Sequence, residues 1–336
     1  MHHTTLKDIA AKLGVSTSTV SRALQGHSDI HPETRELVLK TAREMNYQPN
    51  AFAQNLKKKR SNTIGVIVPQ VKHFFFAEIM AGITDVAYRA GYNVFISQSN
   101  EDYQREVINL QAMVAQRVAG LLTSLSISTT TCSHLEALVQ RGVPLVCFDR
   151  VCEGFKGVSV IVDDYDGAFQ ATQHLISRGY RRIAHLAGPQ NLSIGHQRLA
   201  GYRDALAKSG RPYDPSLVVF GGLNEEDGDT GFKQLLKQSP QFPDAIFCVT
   251  DPVALGAFQN IKQMGLHIPK DIALVGFSDN PIGALIDPPL TTVRQPAYEI
   301  GETAAKTLLD LIEHPESIEK NQTIILKTTL IVRQSS

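Results

Sequence analysis

No cysteine spacing in this chain suggests a metal or redox framework. The four cysteines, Cys132, Cys147, Cys152 and Cys248, form no CxxC pair and have no histidines at ligand spacing. A disulfide framework or zinc site is therefore not expected, and the thiols read as reduced and buried. No apolar run approaches the roughly 18 residues of a membrane-spanning helix. The amino-terminal residues are polar and lack an apolar signal region, so the expectation is a cytoplasmic chain with no membrane partner. Motifs of phosphate binding and nucleophilic catalysis are missing as well. There is no GxGxxG after a strand-like run, no GxxxxGK followed by Ser or Thr, no HExxH and no GxSxG. The eleven histidines are scattered, and His73, His185 and His196 have no acid partner at readable spacing. Catalysis, a cofactor and a bound metal are not expected.

At 336 residues, 43% of them hydrophobic and 20% charged, the chain has the composition of a globular protein and the length for two or three domains. The net charge of zero conceals an uneven distribution. Residues 1–60 hold ten Lys/Arg against five Asp/Glu, whereas the rest hold 23 against 28. A basic head suits a polyanionic partner. An equally good reading of the charge alone is that Lys57, Lys58, Lys59 and Arg60 form a solvated linker.

Local periodicity sharpens the reading of the head. Leu6, Ile9, Ala10 and Leu13 share one helical face, and Gly14 can end that helix in a left-handed conformation. Ser16 can cap a second helix that buries Val20, Ala23 and Leu24 and presents Thr17, Ser18, Ser21 and Arg22 on its other side. A third helix starts near Pro32 and carries Leu37, Val38, Thr41, Ala42 and Met45 inward. Two helices joined by a glycine turn, the second small and polar outside, fit a helix-turn-helix whose second helix enters the DNA major groove. Thr17 and Ser18 would let the backbone approach the bases, and Arg22 would reach guanine or phosphate. A plain three-helix bundle with solvated hydroxyls fits the same pattern.

The run LKDIAAKLGVSTSTVSRALQGHSDIHPETRELVLKTAREMNYQPNAFAQNLKKKRSNTIGVIVP resembles the head of the lactose-repressor (LacI/GalR) family of bacterial transcription regulators. The resemblance extends over essentially the whole chain. It implies a helix-turn-helix domain at 1–48 and a hinge helix with linker at 49–62. After Pro49 and the capping candidate Asn50, AFAQNL offers under three turns of helix, too short to be stable alone. The resemblance implies that this segment pairs with its dimer mate, with Asn50, Ala53 and Leu56 at the DNA and Leu56 wedged between base pairs in the minor groove. Without the resemblance, a flexible linker with one stray leucine is the simpler reading.

From Thr63 the pattern alternates between apolar, β-branched runs and amphipathic helices, the signature of parallel α/β architecture. TIGVIVP, YNVFIS, VAGLLT, VPLVCFD, RRIAHLAG, AIFCVT and DIALVGF read as strands buried on both faces. Phe76–Ala90, Ala168–Arg178, Gln197–Ser209 and Pro252–Met264 read as helices between them. These units are too many for one compact sheet, so two similar halves with a cleft between them are expected. The resemblance implies a periplasmic-binding-protein-like effector and dimerisation domain at 63–336. It places the crossings near Val162, Leu290 and Lys320, giving subdomains of about 63–161 plus 290–319 and 162–289 plus 320–333.

Ligands of open α/β sheets bind beyond the carboxyl ends of the strands. That rule nominates Phe75 and Phe76 as stacking surfaces, though they serve equally as core residues opening a helix, and Asp149 as a hydroxyl acceptor, though it also fits a cap. Gln295, after the crossover strand LTTVR, is a lesser candidate. Arg198, with Gly201 three residues on, resembles the family's arginine-x-x-glycine effector contact; an isolated arginine would otherwise read as a surface ion pair. Phe247 and Asp251 resemble the family's strand-to-helix corner, Asp251 mainly as a helix cap. Thr250 stands where many members carry a ligand-binding asparagine. Ser278 stands where many carry an aspartate, with Asp279 next to it as the substitute. The expected protein is a DNA-binding transcriptional regulator, a repressor, acting as a homodimer on a palindromic double-stranded operator and controlled by a small sugar or sugar derivative. The alternative is a sugar-binding receptor of the periplasmic type without regulatory DNA binding.

Overall fold

The structure is a computed structural model and describes residues 4–47, 61–239, 241–317 and 321–336. It divides into two compact units, Met1–Ser61 and Asn62–Ser336.

In the first unit, α1 (Leu6–Leu13) begins with a reciprocal cap: Asp8 donates its amide to the Thr5 hydroxyl and accepts the Thr5 amide at 2.7 Å. Gly14, at φ 66°, ends the helix in the left-handed region that a glycine enters without steric cost. Ser16 caps α2 (Thr17–Leu24) by accepting the Thr19 amide at 3.0 Å. Proline opens α3 (Pro32–Glu44). Ile9, Ala10, Val20, Ala23, Val38 and Ala42 form the shared core. Leu37, expected to point inward, is 51% exposed. Val38, Thr41, Ala42 and Met45 occupy the i, i+3, i+4, i+7 stripe, and Leu37 lies about 100° away from it around the helix.

The second unit contains two sheets. The first lobe is built on β1 (Thr63–Val68), β2 (Asn93–Gln98), β3 (Gly120–Thr123), β4 (Leu145–Phe148), β5 (Val158–Val162) and β11 (Gln322–Leu326), all parallel in the order β11-β5-β4-β3-β1-β2. The second is built on β6 (Ile183–Ala187), β7 (Val218–Phe220), β8 (Ala245–Cys248), β9 (Ala273–Ser278), β10 (Thr291–Arg294) and β12 (Thr329–Ile331), in the order β12-β10-β9-β8-β6-β7. Only the β10–β12 pair in it is antiparallel. Helices α4 (Phe74–Arg89), α5 (Tyr103–Ala115), α6 (Ser133–Gln140) and α12 (Ala297–Glu313) pack on the first sheet. The second lobe carries α7 (Asp164–Ser177), α8 (Ser193–Lys208), α9 (Glu225–Gln238), α10 (Asp251–Gln263) and the short α11 (Pro281–Leu285).

The two-sheet architecture is the expected one, and several details differ. The crossings expected at Leu290 and Lys320 come later. Strand β10 pairs with β9 in the second sheet, so the chain leaves that lobe after Arg294. Strand β11 pairs with β5 in the first sheet, so the return follows Leu326. The helices start one to four residues earlier than their apolar periodicity suggests, in α7 because the first turn is polar and capped. The Asp163 side chain accepts the Asp166 amide at 2.9 Å and launches that helix. Edge strand β2 is not buried on both faces, and Phe95 and Ile96 are exposed. Helices α7 and α8 lie close enough that a Cβ on Gly201 would sit 2.3 Å from the Tyr165 carbonyl oxygen, so glycine there serves helix contact.

The cysteines also depart from expectation. Cys132, just before α6, is disulfide-bonded to Cys152 in the β4–β5 loop. Adjacent strands bring these loops together, which linear spacing does not reveal. Cys147 and Cys248 are free and buried, as expected, and burial pushes both thiols well up. Among the described residues no cluster suited to a metal ion occurs, and no helix is long and apolar enough to cross a membrane.

Candidate functional site

In the first unit α2 presents Thr17, Ser18 and Arg22 to solvent, with Ser21 half-buried. The N-cap Ser16 also shares hydrogen bonds with Ser18 Oγ at 2.6 Å and Thr19 Oγ1 at 2.8 Å, which fixes the helix start. Arg22 pairs with Asp29 at 2.5 Å across an exposed surface, an interaction weak enough for a phosphate or base to replace. The sequence candidates Asn50, Ala53 and Leu56 lie outside the described residues.

In the second unit a cleft opens between the lobes at the carboxyl ends of the strands. Its inner part holds His73, Phe75, Phe76 and Arg150 from the first lobe, facing Thr250, Ser278 and Asn280 from the second. Its outer part, a space of about 300 Å³, adds Asp279, Arg294 and Gln295. Phe75 is half-buried and meets the buried Phe76 edge-on, 5.5 Å between ring centroids. The Arg150 guanidinium lies 5.5 Å from the Phe76 ring centroid and binds both Glu101 carboxylate oxygens through Nη1, at 3.0 and 2.9 Å. Its Nε is buried without a hydrogen-bond partner among the described residues, and so is Gln295 Oε1. Such orphaned groups are costly unless a ligand or water meets them. Gln295 Nε2 donates to Ser278 Oγ at 3.1 Å.

The backbone is tense at the same place. Asp149, Ser278 and Asp279 hold φ values of 60°, 135° and 55°. Non-glycine residues keep such conformations where surrounding structure enforces them, often at binding sites. Asp149, expected at the cleft, is 4% exposed and lines neither part of it, lying behind Arg150; burial raises its carboxyl to about 6 against the opposing pull of Arg150, whose Nε is 3.7 Å away. Burial also pushes Asp279 up, yet Arg333 at 2.6 Å and Arg294 at 2.7 Å outweigh it and hold that carboxyl below its usual range. Asp279 is thus already engaged with two cations. His73, beside the cleft, is held below its usual value by burial and then by Lys72 and Arg150.

Three further expected residues take different positions from those anticipated. Arg198 is 1% exposed and lines neither part of the cleft. Its Nε and Nη2 reach Asp164 Oδ1 at 2.8 and 2.6 Å, Nη1 donates to the Val249 carbonyl at 2.5 Å, and its face lies 3.6 Å from the Phe277 ring centroid. The guanidinium is an internal strut of the second lobe rather than the free fork or surface ion pair that the sequence suggested. Phe247 is 0% exposed and stacks on His185 at 4.7 Å and 6°. It belongs to the core beneath the sheet, because its position in β8 directs it toward Leu199 and Tyr202 of α8. The N-cap of α10 is Thr250, which accepts the Val253 amide at 3.3 Å and donates to the Leu223 carbonyl at 2.9 Å. Asp251 is the first helical residue instead of the cap. It accepts Thr292 Oγ1 and the Asn280 amide, both at 2.6 Å, and burial raises its carboxyl to about 6.

The sequence reading passed over His73, Arg150, Asn280 and Arg294. Arg150, two residues beyond β4, fell under the strand-end rule that nominated Asp149. Its neighbour was chosen because a carboxylate suits hydroxyls.

Comparison with known proteins agrees with this geometry. The family model for bacterial regulatory proteins of the lacI family matches residues 5–50, and the model for periplasmic binding proteins and the sugar binding domain of the LacI family matches residues 61–331. The chain is 35% identical over 333 residues to the ribose operon repressor of Haemophilus influenzae, covering 98% of each protein. It is 37% identical over 310 residues to the transcriptional repressor CytR of Escherichia coli, covering 92% of this chain and 90% of that one. The lac repressor dimer bound to operator and the anti-inducer ONPF superposes with a TM-score of 0.87 at 29% identity over 99% of each chain. The transcriptional regulator CelR in complex with cellobiose gives 0.75 at 31% identity over 99% of this chain and 100% of that one. The match over the head favours a regulator over a solute receptor, and the named relatives are repressors rather than enzymes. The chain belongs to the LacI family of bacterial regulatory proteins.

Proposed function

We propose that this protein represses transcription from the cytoplasm, without catalysing a reaction, by binding a palindromic operator as a homodimer. Its operator affinity answers to a small sugar or sugar derivative held between the lobes. The observation that carries this reading is the joining, in one chain, of an exposed small-residue α2 to a two-lobed cleft whose buried Gln295 Oε1 and Arg150 Nε have no hydrogen-bond partner among the described residues. A ligand with several hydroxyls would meet both, with Phe75 and Phe76 against its apolar face. Asp149, Thr250 and Asp279 complete the proposed set. Arg198 acts through Asp164 and Val249, and Phe247 through the core. Thr17, Ser18, Ser21 and Arg22 read or position the major groove, while Asn50, Ala53 and Leu56 act at the minor groove. Exposed Phe95, Ile96, Ile282 and Leu285 offer apolar surface that a dimer would cover.

The test is binding of the full chain to duplexes recovered from a randomised pool, read by fluorescence anisotropy. The expected result is a palindromic consensus preferred over scrambled competitor, with an affinity that changes when a sugar is added. Equal binding to scrambled duplex would end the proposal. A second outcome concerns pH. A carboxylate accepts hydroxyls better than a carboxylic acid does, so effector affinity should rise as Asp149 ionises near pH 6 and fall as pH drops below it. Calorimetric titration between pH 5 and 7.5 checks this, and Asp149→Asn should flatten the profile.

A further inference from the structure

We propose that Cys132 and Cys152 form a reversible thiol–disulfide switch that sets how firmly the first lobe grips the turn leading into α8. Two loops of the first lobe, one between β3 and α6 and one between β4 and β5, reach across to that same turn. Asn191 Nδ2 donates to the Ile127 carbonyl at 2.7 Å and to the Thr129 carbonyl at 3.0 Å. Ser193 donates its amide to the Val151 carbonyl at 3.3 Å, and its hydroxyl accepts the Val151 amide at 3.4 Å. The disulfide joins these two loops, with Cα atoms 6.0 Å apart, and so converts two separate grips into one jaw. Both loops connect to the cleft through Arg150. Arg150 precedes Val151 and donates to the Leu125 carbonyl at 3.3 Å, while its partner Glu101 accepts the Ile127 amide at 2.8 Å.

Access separates this pair from the other thiols. Cys152 lines a cavity of about 310 Å³ beside Glu153, Asn191, Ser193 and His196, through which a small peroxide can arrive. Cys147 and Cys248 lie within β4 and β8 at 0% exposure. In a reducing compartment the pair rests as two thiols, and such pairs serve there mainly as sensors or catalysts. Hydrogen peroxide supplies the oxidising equivalents. The thiolate of one cysteine attacks a peroxide oxygen, the O–O bond breaks, and a sulfenic acid and one water result after protonation. The second thiol then attacks the sulfenic sulfur, forming the S–S bond and releasing a second water. A small dithiol reverses the process by exchange, becoming a cyclic disulfide itself. Cross-linking removes relative motion of the loops, so a second lobe docking on the oxidised jaw has less freedom to lose.

The experiment compares full-length protein treated with hydrogen peroxide or with dithiothreitol, and it requires neither DNA nor effector, so it stands apart from the regulatory reading. Peptide mapping should show a Cys132–Cys152 cross-link after peroxide, with Cys147 and Cys248 free. Amide hydrogen exchange across 125–131 and 189–195 should slow by about fivefold or more on oxidation, the lower edge of coupling between linked sites. In Cys132→Ser and in Cys152→Ser peroxide should leave that exchange unchanged. Thiols that remain free under peroxide, exchange alike in both states, or slowing that persists in either variant would overturn the switch.

Discussion

Arg198→Met is expected to lower the stability of the full chain by about 3–5 kcal/mol, the usual cost of removing one member of a buried ion pair. Asp164, 4% exposed, would lose both guanidinium hydrogen bonds, and the Val249 carbonyl would lose its donor. Burial already raises the Asp164 carboxyl, with Arg198 pulling it down. Without the arginine it should rise further. A group whose folded value exceeds its unfolded value costs stability at neutral pH and regains it as pH falls through the folded value. The deficit in Arg198→Met should therefore shrink on moving from pH 7.5 toward 5, and Arg198→Met combined with Asp164→Asn should recover a large part of it at neutral pH. Urea unfolding at several pH values measures all of this. A single-variant loss below about 1 kcal/mol, the range of exposed pairs, would show that the strut carries little. The family resemblance suggests a direct effector contact at this position, and the geometry adds that any ligand reaching this guanidinium must compete with Asp164.

Operator affinity should fall by roughly 10³ to 10⁵ between 50 and 200 mM salt if the basic head neutralises about six to ten phosphates in the dimer. The motivation is the excess of ten basic over five acidic residues in positions 1–60. Replacing Lys57 and Lys58 with alanine should reduce the slope of log affinity against log salt by about one for each phosphate no longer neutralised, with little change in sequence preference. Anisotropy titrations at several salt concentrations give the slope. A flat dependence would remove the electrostatic account of the head.

The head was the more legible half because its signals are local. The turn at Gly14, the cap at Ser16 and the buried pairs Ile9 with Ala10 and Val20 with Ala23 each rest on residues one helical turn or less apart. Leu37 escaped only because apolar identity says nothing of angular position. The α/β alternation of the large unit was equally plain. Short strands β7 and β12, three residues each, carry too little pattern to register. Site residues were legible to the extent that strand ends define them: Phe75, Phe76, Thr250, Asp279 and Gln295 do meet in the cleft. Phe247, Arg198 and Asp149 did not follow, since a motif or a strand end fixes a residue's place along the chain without fixing which way its side chain turns. The Cys132–Cys152 bond lay beyond reach because it depends on which strands are neighbours.

The three crossings between the lobes run side by side. Asp163 donates its amide to the Leu326 carbonyl at 2.9 Å, and Arg294 sits opposite Thr329 in the β10–β12 ladder. Three adjacent tethers resist stretching and twisting yet permit rotation about the line they define, so the lobes have essentially one soft degree of freedom. Gln295 lies on that line and also borders the outer cleft. A contact so near the axis exerts almost no torque of its own, so a molecule held by this side chain sets the angle between the lobes only through what it also touches farther out, at residues such as Phe75 and Asp279.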